Sequence, residues 1–171
     1  MIKPFEFTTP RILRAVCALS ILIPAIVFPL TGNLNKEASD KFSLWVTPPG
    51  IFFRIWLVIV TLLDISALYS LYYNFWSPKS CVCFISSNIC IGIWIFVFVQ
   101  ATPAALIFST LIIFGLVASN QIQWFEECRN EKEGWKELFI RNSFAFGQGW
   151  FIAAASLSYG IVLVYVFGMK L

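Results

Sequence analysis

Apolar residues fall into five long blocks, each parted from the next by a polar or proline-bearing stretch. They cover about 12–30 ("ILRAVCALSILIPAIVFPL"), 50–76, 80–100 ("SCVCFISSNICIGIWIFVFVQ"), 103–122 and 144–168 ("FAFGQGWFIAAASLSYGIVLVYVFG"). A membrane-spanning helix needs about 20 apolar residues, and each block supplies them. No alternating pattern of the barrel type persists, and the blocks are too long and apolar for amphipathic surface helices. The pattern predicts an all-α integral membrane protein: one five-transmembrane-helix bundle over residues 1–171, with no internal repeat. The first block could be mistaken for a cleaved leader, with Arg11 and Arg14 as its charged flank. No small-x-small cleavage site follows it, and Pro24 and Pro29 suit a kinked span packed on neighbours, so it is read as a retained span.

The connections differ. A long polar stretch, "TGNLNKEASDKFSLWVTPP", follows the first block and reads as a loop. "SPKS" and "QATP" are short turns. Between the fourth and fifth blocks, Trp124, Phe125, Trp135, Leu138 and Phe139 are interleaved with charge, which predicts helix extensions or a short interfacial helix.

Composition strengthens the membrane reading. The chain is 59% hydrophobic, 18% aromatic and 12% charged, with mean hydropathy +0.81, against about 25% charge in soluble domains. Lipid is therefore the expected partner of most of its surface. The net charge of +3 is scattered, with no basic run suited to nucleic acid. Lysine and arginine in the loops favour one side: Lys3, Arg11, Arg14, Lys79, Arg129, Lys132, Lys136 and Arg141 against Lys36, Lys41 and Lys170, with Arg54 near that second boundary. The positive-inside rule then places the N-terminus on the cytosolic or matrix-like side and the C-terminus opposite. The membrane itself is left open between a mitochondrial and another organellar one.

Candidate chemistry is sparse. Histidine is absent and the five cysteines fall mostly in apolar blocks, where they act as small hydrophobes. Cys81-x-Cys83 has no second ligand pair, so neither a metal site nor a cofactor is expected. With no histidine and no second carboxylate inside the lipid, no acid–base pair presents itself, and the chain reads as a non-enzyme. Asp64 is the exception to the apolar interior. It lies ~20 Å along the second span at 1.5 Å per residue, where an ionised aspartate costs roughly 2.5–3.5 kcal/mol. It should therefore face the bundle interior, either in a ligand pocket or bonded to a polar group of a neighbouring helix. Arg54, one turn inside, can lift its guanidinium to the headgroups. Of seven tryptophans, Trp45, Trp76, Trp124 and Trp135 sit at expected membrane boundaries as an aromatic belt. Trp56, Trp94 and Trp150 lie within spans, where they either line an aromatic cavity or fill the core.

Several short patterns combine with these tryptophans: Ser39-Asp40-Lys41-Phe42, then Thr47-Pro48-Pro49-Gly50, Phe53 and Trp56; Trp94 and Phe96 in the third span; Arg141, Phe144, Gly149 and Trp150, followed by Ala153 to Ala155, in the fifth. With five spans and a long first loop, they resemble the tryptophan-rich sensory protein/translocator protein family (TspO type), of which the chain looks like a divergent member. The resemblance implies a pocket for tetrapyrroles or sterol-like lipids among the five helices, capped by the first loop. Three positions depart from the family pattern: Val60 stands where a tyrosine is common, and Ile91 and Ser158 where asparagines are.

Two functions are carried forward. The first is binding of a flat hydrophobic ligand of the tetrapyrrole or sterol class, with Trp56, Trp94 and Trp150 as walls and Asp64 and Ser158 as polar contacts. No haem axial ligand is evident, so a tetrapyrrole would be held by stacking and shape. The alternative is a non-catalytic accessory subunit of a larger membrane complex, such as a respiratory one, with a degenerate pocket; a homodimer is the other expected assembly.

Overall fold

The computed structural model describes residues 9–45, 47, 55–73, 75–129 and 134–170. They form six α-helices: α1 (Arg11–Ser20), α2 (Leu22–Lys41), α3 (Ile55–Tyr72), α4 (Pro78–Phe98), α5 (Pro103–Arg129) and α6 (Trp135–Tyr165). No strand occurs among the described residues. α1 and α2 make one bent rod, so five rods are long and apolar enough to cross a membrane.

The bend has a physical cause. Pro24 has no N–H for the Ser20 carbonyl, and the Ile21 N–H turns back to Ala18 O at 3.3 Å instead. Ser20 Oγ donates to Cys17 O at 2.7 Å and accepts from Asn88 Nδ2 of α4 at 2.9 Å. The break is thereby fastened to a neighbouring helix. Just beyond it the chains come close: a Cβ on Gly92 would lie 2.6 Å from Ile23 Cγ2.

α2 corrects the expected first loop. The helix does not stop near residue 30 but continues through "TGNLNKEASDK" to Lys41. Lys36, Glu37 and Ala38 favour helix, Lys36 pairs with Asp40 one turn on at 3.1 Å, and Ala38 is buried. Tertiary burial and local propensity outweigh the glycine and the two asparagines. Pro48, Pro49, Gly50, Phe53 and Arg54, with the expected snorkelling of Arg54, lie outside the described residues.

The other spans follow local signals. Ser77 caps α4 by accepting the Ser80 N–H at 3.1 Å, with Pro78 at the first helical position. Ala101 takes a left-handed φ of 52° in the tight turn to α5. α5 runs on to Arg129 and α6 starts at Trp135, so the aromatic, charged linker is largely helix extension.

Each rod has two neighbours. The bent first rod lies against α4, α4 against α5, α5 against α6, α6 against α3, and α3 against α1, closing a ring. At one end Thr9 Oγ1 donates to Trp76 O at 2.6 Å, the Arg14 guanidinium donates to Leu71 O, and Ser80 Oγ donates to Glu127 Oε1 at 2.9 Å. Ser43 and Tyr165 meet at the other end. The described chain therefore starts and finishes at opposite ends of the bundle. Trp76, expected in the boundary belt, is instead 1% exposed. It is wedged between Phe84 and Phe144, with ring centroids 5.2 and 5.8 Å away. It follows α3 in a loop that turns inward, so sequence position at a span end does not set its depth. Outward-facing Leu57, Leu68, Phe108, Leu111 and Phe114 are exposed and present the apolar surface that a bilayer solvates.

Candidate functional site: an aromatic cavity under a short strap

The cavity lies in the half of the bundle away from Thr9 and has a volume of about 460 Å³, within the range of small-molecule sites. Trp56 enters from the first turn of α3, Trp94 and Phe98 from the last turns of α4, and Trp150, Leu157, Ser158 and Ile161 from α6. Asn35 and Ser39 come from α2, and Phe42, Leu44 and Thr47 from the segment after it.

Trp56 is the hub. Its ring lies nearly flat against Trp94, with centroids 5.4 Å apart and planes at 25°. Trp150 meets it edge-on at 6.0 Å and 85°, and Phe151 closes the far side at 5.6 Å. Trp94 in turn stacks on Phe98 at 5.8 Å and 22°. These are the offset and edge geometries that an aromatic quadrupole favours. Among the described residues the indole N–H groups of Trp94 and Trp150 are buried without an acceptor, each at a cost of about 1–3 kcal/mol. Both N–H groups are sealed, so at these two residues the cavity meets ring surface rather than a donor.

Among the described residues the lining holds no Lys, Arg, Asp or Glu. Its polar groups are Asn35, Ser39, Thr47, Ser156 and Ser158. Ser158 reaches the cavity, while its carbonyl accepts from Thr110 Oγ1 at 3.3 Å. Asp64 does not reach it. It stands eight residues after Trp56, ~12 Å further along α3 and rotated by about 80° at 3.6 residues per turn. It is half-buried with no hydrogen bond or ion pair among the described residues, which corrects the expectation of a pocket contact or a polar partner. Val60 and Ile91 are likewise off the wall. Among the described residues no group of three His, Cys, Asp or Glu could hold a metal.

Sequence reasoning proposed the three tryptophans and Ser158 and missed the α2 face. Yet Ser39, Phe42, Thr47 and Trp56 all belong to the motifs of the first connection and second span, and all four line this cavity. Thr47 shows why a hydroxyl suits that position: its Oγ1 accepts the Leu44 N–H at 2.7 Å and its own N–H donates to Leu44 O at 2.8 Å, closing a turn.

The family model for TSPO-like protein matches residues 11–169, nearly the whole chain. The chain belongs to the TSPO-like family. Among curated proteins and among solved structures nothing matches. Membership accounts for the five apolar rods as a multi-pass bundle integral to a membrane. Trp56, Trp94 and Trp150, spread over ninety-five positions of sequence in this TSPO-like chain, meet at one place.

Proposed function

We propose that the protein is a non-enzymatic membrane binding protein that holds a flat, hydrophobic ligand of the tetrapyrrole or sterol class in the aromatic cavity. The observation that carries this is the convergence of Trp56, Trp94 and Trp150 on one cavity with no charged lining among the described residues. Aromatic faces bind planar, apolar molecules by area and stacking. A handful of hydroxyl and amide groups at Asn35, Ser39 and Ser158 then orients the ligand. Carboxylates on a tetrapyrrole would find no cation among the described lining residues, so the reading favours binding through the ring system, or a neutral sterol.

The test is a titration of the purified full chain in lipid nanodiscs with protoporphyrin IX and, separately, with a fluorescent sterol, following tryptophan quenching. Saturable quenching by either probe, weakened by Trp150→Leu, supports the reading. A wild-type chain that folds but binds neither overturns it. Co-purification with other membrane subunits would then point to the accessory-subunit role.

A further inference from the structure

We infer that Tyr165 is a positioning residue that latches the strap formed by residues 42–45 and 47 across the cavity and sets how fast a bound ligand escapes. The inference rests on the ligand-binding reading above and adds to it a specific residue outside the cavity wall.

The strap is preformed. Phe42 still donates its N–H to Ala38 O at 3.1 Å as α2 ends, and the Leu44–Thr47 hydrogen bonds close the turn that follows. Phe42, Leu44 and Thr47 all face the cavity. α2 and α6 have no extensive packing of their own, so the strap is what joins them across this end of the cavity.

It meets α6 at two places. The Tyr165 hydroxyl donates to the Ser43 carbonyl at 2.8 Å, and the Phe42 ring stands edge-on to the Tyr165 ring at 5.2 Å and 79°. One turn earlier, Leu44 Cδ1 lies 3.1 Å from where a Cβ on Gly160 would be, so the glycine makes room for the leucine. On its own side, the Lys41 ammonium lies 5.2 Å from the Phe42 ring centroid. The leucine and the phenylalanine hold by shape. Among the described residues the tyrosine hydroxyl is the one polar tie between strap and α6. Lifting the strap away from α6 breaks that hydrogen bond. One such bond corresponds to about two- to tenfold in an opening equilibrium.

Tyr165→Phe removes the hydroxyl and keeps the ring against Phe42. Tyr159→Phe, an exposed tyrosine of the same helix away from the cavity lining, is the control. Two measurements are made on the full chain in nanodiscs: hydrogen exchange of the strap amides without ligand, and dissociation rates of protoporphyrin IX and a fluorescent sterol. The expected result for Tyr165→Phe is faster exchange across the strap and a two- to tenfold faster off-rate, with an unchanged melting temperature and no effect of Tyr159→Phe. Unchanged strap exchange overturns the latch, whatever binds. Faster exchange with an unchanged off-rate overturns its role in retention. A wild-type chain that binds neither probe overturns the ligand reading itself, and the exchange data then report separately whether the hydroxyl ties the strap.

Discussion

Trp56 and Trp94 lie nearly parallel with ring centroids 5.4 Å apart, one at the first turn of α3 and the other near the end of α4. The pair joins two helices that are not neighbours in the ring, so it spans the bundle at the floor of the cavity. The tryptophans are therefore unequal. Trp56 is 5% exposed and meets four other rings, those of Phe28, Trp94, Trp150 and Phe151, so Trp56→Ala should cost about 3–5 kcal/mol of stability. Trp150 is only half-buried and contributes one edge contact to that hub. Trp150→Leu should weaken probe binding while leaving thermal unfolding within a few degrees of wild type. Equal destabilisation by both changes would mean that the rings serve packing alone.

Gly92 faces Ile23 at the bend of the first rod. A methyl group there would sit 2.6 Å from Ile23 Cγ2, so that side chain or α2 must shift. Gly92→Ala should lower stability by about 1–3 kcal/mol, the usual cost of overpacking, despite alanine's higher helix propensity. Chemical unfolding in mild detergent measures it, and a gain in stability would show that the close approach is not tight.

Gln123 is fully buried in α5, with neither its amide oxygen nor its nitrogen partnered among the described residues. Removing a buried polar group that makes no hydrogen bond relieves its desolvation cost. Gln123→Met, of similar length, should raise the unfolding free energy by about 1–3 kcal/mol. A loss of stability instead would indicate an ordered water or lipid headgroup held by the amide.

The two ends of the bundle can be assigned to the two faces of the membrane. Cys128 is exposed near the Thr9 end, whereas Cys17, Cys81 and Cys83 are buried. A membrane-impermeant thiol reagent should therefore modify Cys128 from the positive-inside side. With Cys128 replaced by serine, an introduced Lys36→Cys should react from the opposite side. Labelling of both positions from one side would refute the five-crossing topology.

The sequence by itself determined the class of the protein and the number of crossings. Five runs of about twenty apolar residues have no stable alternative to spanning helices in lipid, because every backbone polar group must be satisfied within the segment. It also determined which aromatic residues were candidates, since Trp56, Trp94 and Trp150 lie within those runs. Only the tertiary structure decided the rest. The first part of the expected loop, as far as Lys41, proved to be a continued helix, because burial of Ala38 and the Lys36–Asp40 pair act where composition alone reads polar and breakable. Trp76 went to the core and Asp64 away from the cavity, because a loop's inward turn and an 80° rotation along a helix are not visible in residue order. The cavity's other wall came from Asn35, Ser39, Phe42 and Thr47 on a segment that meets α6 more than a hundred positions later. Contacts of that range are fixed by how helices pack, and hydrophobic periodicity, which is local, cannot specify them.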